Sequence, residues 1–285
     1  MSNVGVIGAT GRLGQRIVLR LRARGTEPIV FGRDPAKLEA LSARHARRFD
    51  LDDADGLRGA LQDVDVVINA ARPRMLAPIL TALPSRAGRI VAVGSTRKFT
   101  RFPDRAAEMV REAETALAES GRPGLMLHPT MIYGEQGEKN IQRLLAWIRR
   151  VPVVPLPAGG RTLVQPVYVD DVAEAVARAA LLPDPGEGPL VIAGPAPMTY
   201  AEMVRCVGRS FGHRIVVLPV PFSVVLGGAA LSRRVPGLPR FKAEEVRRLL
   251  EDKDFDVEPM RRRLGLEPIA FDEGLARMRQ YAPGG

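Results

Sequence analysis
The stretch Val4-Gly5-Val6-Ile7-Gly8-Ala9-Thr10-Gly11-Arg12-Leu13-Gly14 constrains the fold of this chain more than any other. A short apolar run leads into three glycines spaced three apart, and helix-forming residues continue from Gln15 to Arg24. The order is strand, tight turn, helix. Such a turn needs glycine because the backbone must bend sharply and admit a pyrophosphate at close range, and the amides that open the helix then bind the anion. The spacing is G-x-x-G-x-x-G rather than the commoner G-x-G-x-x-G, so its weight comes from its place after an apolar strand and before a helix. A dinucleotide is the expected ligand, held by Gly8, Thr10, Gly11, Arg12, Leu13 and Gly14.

With 285 residues the chain can bury an ample core and accommodate one large domain plus a smaller cap. No stretch reaches the length of a membrane span, and the opening apolar residues read as the first strand rather than an export signal, so a cytoplasmic protein is expected. A single cysteine, Cys206, and three scattered histidines, His45, His128 and His213, offer no disulfide and no metal-ligand spacing. The formal net charge is +10. Its arginines read as spread along the chain, lysine stands only at 37, 98, 139, 242 and 253, and no basic stripe alternates with aromatics. That distribution argues against nucleic-acid binding and for a local use of some arginines on a cofactor phosphate.

Strands alternating with helices predict an α/β Rossmann fold: a doubly wound parallel sheet with helices on both faces and ligands at the carboxyl ends of the strands. A second strand near Pro28 to Phe31 ends in Gly32-Arg33-Asp34-Pro35-Ala36-Lys37. An acid there would accept from a ribose 2′-hydroxyl. Arg33, with Lys37 one turn on and Arg12 in the glycine loop, fits a 2′-phosphate instead, so NADP(H) is favoured over NAD(H). Asp50 and Leu51 follow a short third strand, where Asp50 either accepts from the adenine amino group or caps the next helix. The fourth strand, Val64 to Asn69, runs into Ala70 and Ala71, small enough for the backbone to pass close to the cofactor ribose. The fifth, Arg89 to Val93, ends in Gly94-Ser95-Thr96. A long helix is expected from Asp104 to Ser120, then a sixth strand, Leu125 to His128, leading to Pro129-Thr130-Met131-Ile132-Tyr133-Gly134.

Residues 1–135 thus read as the dinucleotide-binding core, and 136–285 as the remaining sheet elements interleaved with a smaller α+β cap. In the second part Val151 to Pro157 reads as an irregular excursion and Leu163 to Val167 as a strand. Asp170 and Asp171 read as the N-cap of a helix from Val172 to Leu182, and Thr199 to Glu202 as a capping box. Ile215 to Leu231 is apolar but too broken by proline and glycine to cross a bilayer, which leaves a peripheral membrane contact open.

These motifs resemble the atypical, extended short-chain dehydrogenase/reductases. The similarity is to the branch that holds NmrA-like proteins and the NADPH-binding accessory subunit of respiratory complex I, with NAD-dependent epimerases and dehydratases nearby. It rests on Gly8-Ala9-Thr10-Gly11-Arg12-Leu13-Gly14, on Gly32-Arg33-Asp34-Pro35-Ala36-Lys37-Leu38, on His128-Pro129-Thr130-Met131-Ile132-Tyr133-Gly134, and on Gln165-Pro166-Val167-Tyr168-Val169-Asp170-Asp171-Val172-Ala173. The resemblance implies that the first two motifs hold the dinucleotide phosphates and that Pro129, Thr130 and Met131 pass the nicotinamide. Reductases of this superfamily carry Tyr-x-x-x-Lys on the helix after the fifth strand, the lysine lowering the tyrosine's pKa. Here Ala106 and Val110 stand at those places, and Thr100 to Gly124 contains neither tyrosine nor lysine. Ser95 or Thr96 matches the family's hydroxyl, and His128 replaces its usual arginine, either as a catalytic group or as a satisfied core residue.

The remaining candidates for a proton donor are Ser95, Tyr133 and Tyr168, the tyrosines on loops at the cofactor edge. Two functions stay open. One is an NADP(H)-binding sensor or accessory protein that kept the pocket and lost the acid–base pair, which is the reading preferred. The other is an NADP(H)-dependent oxidoreductase or epimerase/dehydratase acting on a small carbonyl or sugar-nucleotide substrate through other groups. A structural subunit with a vestigial loop is disfavoured, because Arg12 and Arg33 gather positive charge that a phosphate would offset.

Overall fold
Buried apolar runs lay out the sheet in the computed structural model, which describes residues 2–48, 53–85, 87–134, 140–232 and 247–281. Strands β1 (Val4–Ile7), β2 (Ile29–Gly32), β3 (His45–Arg48), β4 (Val66–Asn69), β5 (Arg89–Val93) and β6 (Gly124–Pro129) alternate with α1 (Arg12–Ala23), α2 (Pro35–Glu39), α3 (Ala54–Ala60), α4 (Leu76–Ala82) and α5 (Arg105–Glu119). β1, β4 and β6 are buried along their whole length, the mark of strands covered by helices on both faces. The chain continues through β7 (Ile132–Tyr133), α6 (Ile141–Ile148), β8 (Val153–Pro157), β9 (Leu163–Val164), β10 (Val167–Tyr168), α7 (Val169–Leu181) and β11 (Gly188–Ile192).

β11 rejoins the first sheet beside β6, giving seven strands in the order β11-β6-β5-β4-β1-β2-β3, all parallel. This is the doubly wound sheet that the strand–helix alternation predicts. The order reverses between β1 and β4, so a crevice opens at the carboxyl end of β1. Ile17, Val18 and Leu21 of α1 pack with Val172, Ala175, Val176 and Ala179 of α7 on one side of the sheet. Leu57, Ile79, Leu80, Val110, Ala113 and Leu117 cover the other. Each fully buried Val, Leu or Ile contributes about 1.5–3 kcal/mol of transfer energy.

The remaining elements are β12 (Met198–Thr199), α8 (Tyr200–Ser210), β13 (Val216–Val220), α9 (Phe222–Ser232), α10 (Glu258–Leu264) and α11 (Phe271–Tyr281). β12, α8, β13 and α11 help build a third core around Tyr133, Leu156, Tyr168, Val204, Phe271 and Leu275, while Met260 and Leu264 of α10 join the first. α8 opens with the expected capping box of Thr199 and Glu202.

Three local expectations are corrected. Val153 to Pro157 is a strand, paired in parallel with β13 from Val216↔Val153 to Val220↔Pro157. Its prolines fit because a two-stranded ribbon leaves each strand a free edge. The strand expected at 163–167 splits into β9 and β10, which join different sheets. Between them Gln165 is buried and bonds the backbone of Gly194 and Phe255. Asp170 and Asp171 do not cap α7: Tyr168 is the N-cap residue and both acids lie inside the first turn. Asp170 pairs with Arg16 and Arg20, while Asp171 accepts from the Ile269 amide at 3.0 Å.

Candidate dinucleotide site
β1 ends and α1 begins within a few residues, and each glycine between them answers a different demand. Gly8 has φ +83°, and a Cβ there would come within 2.8 Å of the Ala71 nitrogen. Gly14 lies so close under the turn that a Cβ would stand 2.1 Å from the Gly8 carbonyl oxygen. Gly11 is the N-cap residue of α1, with extended backbone, and its amide donates to the Gly8 carbonyl at 2.9 Å. A Cβ on Gly11 would meet only that carbonyl oxygen, at 3.1 Å. The protein itself therefore requires Gly8 and Gly14, whereas the bare backbone at Gly11 leaves room for something outside it.

The start of α1 fits an anion. α2, α3, α5 and α8 are capped by the side chains of Asp34, Asp53, Asp104 and Thr199. α1 has no side-chain cap and no acid in its first turn, where Arg12, Leu13 and Gly14 stand. The positive end of its dipole is thus left for a phosphate. Asn69, at the end of β4 opposite Ile7, is buried. Its Oδ1 accepts from the Ala71 amide at 3.1 Å, but its Nδ2 has no partner among the described residues. An unsatisfied buried donor costs about 1–3 kcal/mol, and a ligand acceptor in the crevice would remove that cost. These residues fit a dinucleotide.

Around this turn stand the other expected contacts. Thr10 is half-buried beside Gly32, and Ala70 and Ala71 are half-buried where β4 ends. Register places Ile7 beside Phe31, so Arg12 and Arg33 follow neighbouring strand ends, both exposed. Lys37 is exposed as well, 3.7 Å from Asp34. Asp50 and Leu51 lie outside the described residues. On the far side of the crevice Pro129 closes β6, and Thr130 is buried, its Oγ1 donating to the Gln165 carbonyl and its amide to the Ile192 carbonyl at 2.9 Å. Met131 is half-buried.

Ser95 follows β5 and opens a 3-10 turn, Thr96–Phe99, with its Oγ accepting from the Arg97 amide at 3.2 Å. Its own amide donates to Nδ1 of His128 at 3.2 Å. Gly94 permits this approach, since a Cβ there would sit 2.6 Å from Nδ1. His128 is fully buried, and Nε2 lies 2.9 Å from Oε2 of Glu114, off the line of the ring N–H. Lys98 Nζ reaches the same Oε2 at 2.5 Å. Burial first, and then the Lys98 charge, push the histidine pKa down to about 4 against the pull of Glu114. The ring is therefore neutral near pH 7, and an accepting Nδ1 places its proton on Nε2, facing Glu114. Lys98 and Glu114 were not legible as site residues, because they are 16 apart in sequence and meet at His128 only through the fold.

The two tyrosines stand elsewhere than expected. Tyr133 and Tyr168 are not on loops: they sit in β7 and β10, which pair in parallel, and their side chains pack edge to face at 5.5 Å inside the third core. Tyr133 is 0% and Tyr168 1% exposed. The Tyr133 hydroxyl donates to the Phe271 carbonyl at 3.3 Å, and burial, then the Asp171 charge, raise its pKa far above the ordinary phenol value.

Comparison with known proteins agrees with this geometry. A family model described as NAD(P)H-binding matches residues 8–144. NADH dehydrogenase [ubiquinone] 1 alpha subcomplex subunit 9, mitochondrial, of Rattus norvegicus is 24% identical, over 97% of this chain and 80% of its own length. An uncharacterized protein of Mycobacterium tuberculosis is 27% identical over 72% of this chain, which spans only 23% of that relative. Among solved structures, the NADPH-dependent quinone oxidoreductase of Escherichia coli, complexed with NADPH, superposes with a TM-score of 0.76 at 21% identity, covering 97% of this chain and 99% of that one. No described helix is long and apolar enough to cross a membrane. Residues 8–144 are an NAD(P)H-binding domain, and over nearly its whole length the chain is similar to the mitochondrial subunit.

Proposed function
We propose that this chain is a cytoplasmic sensor or accessory protein that binds NADPH in preference to NADH and does not carry out the acid–base chemistry of the reductases it resembles. The observation that carries this reading is the burial of Tyr133 and Tyr168 in the third core, with the Tyr133 hydroxyl spent on a backbone carbonyl. The helix that bears the proton-transfer pair in the family, α5, offers Ala106 and Val110 at those places. Arg33, Arg12 and Lys37 near the ends of β1 and β2 support the 2′-phosphate. The test is NADPH oxidation followed spectrophotometrically against ketones, enones, quinones and nucleotide sugars, beside calorimetric titration with NADPH. Binding without turnover is expected, and turnover of any member of the panel would contradict the reading.

A second reading, an oxidoreductase or epimerase/dehydratase on a small carbonyl or sugar nucleotide, draws on Ser95. Its Oγ accepts from Arg97, which leaves its own proton to donate to a substrate oxygen. Under that reading Ser95→Ala lowers turnover by roughly 10²–10⁴-fold at unchanged NADPH affinity.

A further inference from the structure
The positive charge is less evenly spread than a scan of the arginines suggests. From Asn140 to Val169 the sequence holds Arg143, Arg149, Arg150 and Arg161 and no Asp or Glu. From Met203 to Ala243 it holds Arg205, Arg209, Arg214, Arg233, Arg234, Arg240 and Lys242, and again no acid. With these eleven set aside, the 42 basic residues of the chain fall to 31, against 32 acidic ones, so these two stretches account for the whole net charge. The fold joins their described parts, since β8 pairs with β13 and α6 packs on α8, while Arg233, Arg234, Arg240 and Lys242 lie outside the described residues.

The same unit exposes apolar surface. Val154, Leu156 and Val217 of the ribbon turn into the third core. Strand alternation should then present polar residues to water. Instead the outward positions of β13 are Val216 and Leu218, 60% and 48% exposed. Val151, just before β8, and Val224 on α9, which packs on β8, are exposed as well. These four are among only seven large apolar side chains that stand open to solvent in the described residues, so the concentration is local. Phe222–Ser232 contains no charged residue. Arg149, Arg150 and Arg214 stand where the two ribbon strands begin, and Arg161 follows β8, all exposed.

We propose that the β8–β13–α9 face is a docking surface for a bilayer with anionic headgroups, holding the protein peripherally on a membrane. Valine and leucine side chains enter the boundary between headgroups and acyl chains while the guanidiniums around them meet lipid phosphates. A nucleic acid would use the charge but would leave Val216, Leu218 and Val224 in water.

Vesicle flotation of the full chain tests this, with phosphatidylcholine alone and with phosphatidylcholine containing phosphatidylserine, and with NADPH titration as the check of folding. Binding is expected to the mixed vesicles only and to be released by high salt. Arg149→Gln and Arg214→Gln should each weaken it about fivefold. The double change Val216→Ser with Leu218→Ser, both facing solvent, should weaken it further at unchanged NADPH affinity. Absence of flotation with mixed vesicles, or equal flotation with neutral ones, would overturn the proposal. So would binding to a DNA duplex in place of vesicles that Arg149→Gln weakens and the serine pair leaves untouched.

Discussion
Alanine at position 14 and alanine at position 11 add the same methyl group to the same turn, and the structure separates their effects. At Gly14 the new Cβ would lie 2.1 Å from the Gly8 oxygen and 2.8 Å from the Ala9 Cα, all backbone that cannot swing aside. Relaxing the first contact to the 3.1 Å that a Cβ on Gly11 would show requires α1 to slide by about 1 Å against β1. That slide disturbs the packing of Ile17, Val18 and Leu21 against α7. Overpacking of this kind costs about 2–3 kcal/mol, or roughly 4–12 °C in Tm for a chain of this size. Gly11→Ala meets one oxygen at 3.1 Å from an extended backbone and should cost less than about 1 kcal/mol. Its methyl stands at the uncapped start of α1, where a pyrophosphate needs bare backbone, so NADPH affinity should fall at least about tenfold, or about 1.4 kcal/mol. Thermal melts of the cofactor-free proteins and calorimetric titration with NADPH read the two effects separately. A Gly14→Ala protein that melts with the wild type would refute the packing argument. A Gly11→Ala protein that binds NADPH normally would remove the loop from the phosphate site.

Three further outcomes follow from the charged and polar interior. Burial, opposed mainly by the Ile269 amide, raises the Asp171 pKa from 3.8 to about 6. The folded state therefore holds that proton more tightly than the unfolded chain, so the stability it contributes is present below about pH 4 and lost as pH rises through 6. Asp171→Asn should then stabilise by about 1–3 kcal/mol at pH 8 and by little at pH 4 in urea melts, and an equal effect at both would contradict this. Lys98→Met removes a charge that helps hold His128 down, so the histidine should titrate above about 4 by NMR; an unmoved titration would show that burial alone sets it. Tyr133→Phe deletes a long hydrogen bond to Phe271 and should cost about 1 kcal/mol or less while leaving NADPH affinity and any turnover intact; a hundredfold loss of turnover would place the hydroxyl at the chemistry.

The first half of the fold was readable because its signals are local. The run Val4 to Gly14 states strand, turn and helix within itself, and β5 spans Arg89 to Val93 as its apolar run Ile90 to Val93 announces. Arg33 stands out in the sequence because the position just after β2 is where an acid or an arginine would meet the ribose 2′ group. The second half failed where pairing is distant. Nothing near Val153 announces that its partner is Val216, and the prolines beside both argued for a loop. The tyrosines were misplaced for the same reason: Tyr133 is buried by Phe271 and Leu275, more than a hundred residues further on. The cluster of Lys98, Glu114 and His128 combines three elements, none of which carries a motif for it.

The central claim is that the crevice beside β1 holds a nicotinamide dinucleotide with a 2′-phosphate, read by Arg33. Calorimetric titration of the wild type and Arg33→Ala with NADPH and with NADH tests it most directly. The account predicts tighter binding of NADPH by the wild type, and loss of most of that difference in Arg33→Ala at unchanged NADH affinity. Equal affinities for the two cofactors in the wild type, or a preference for NADH, would contradict it.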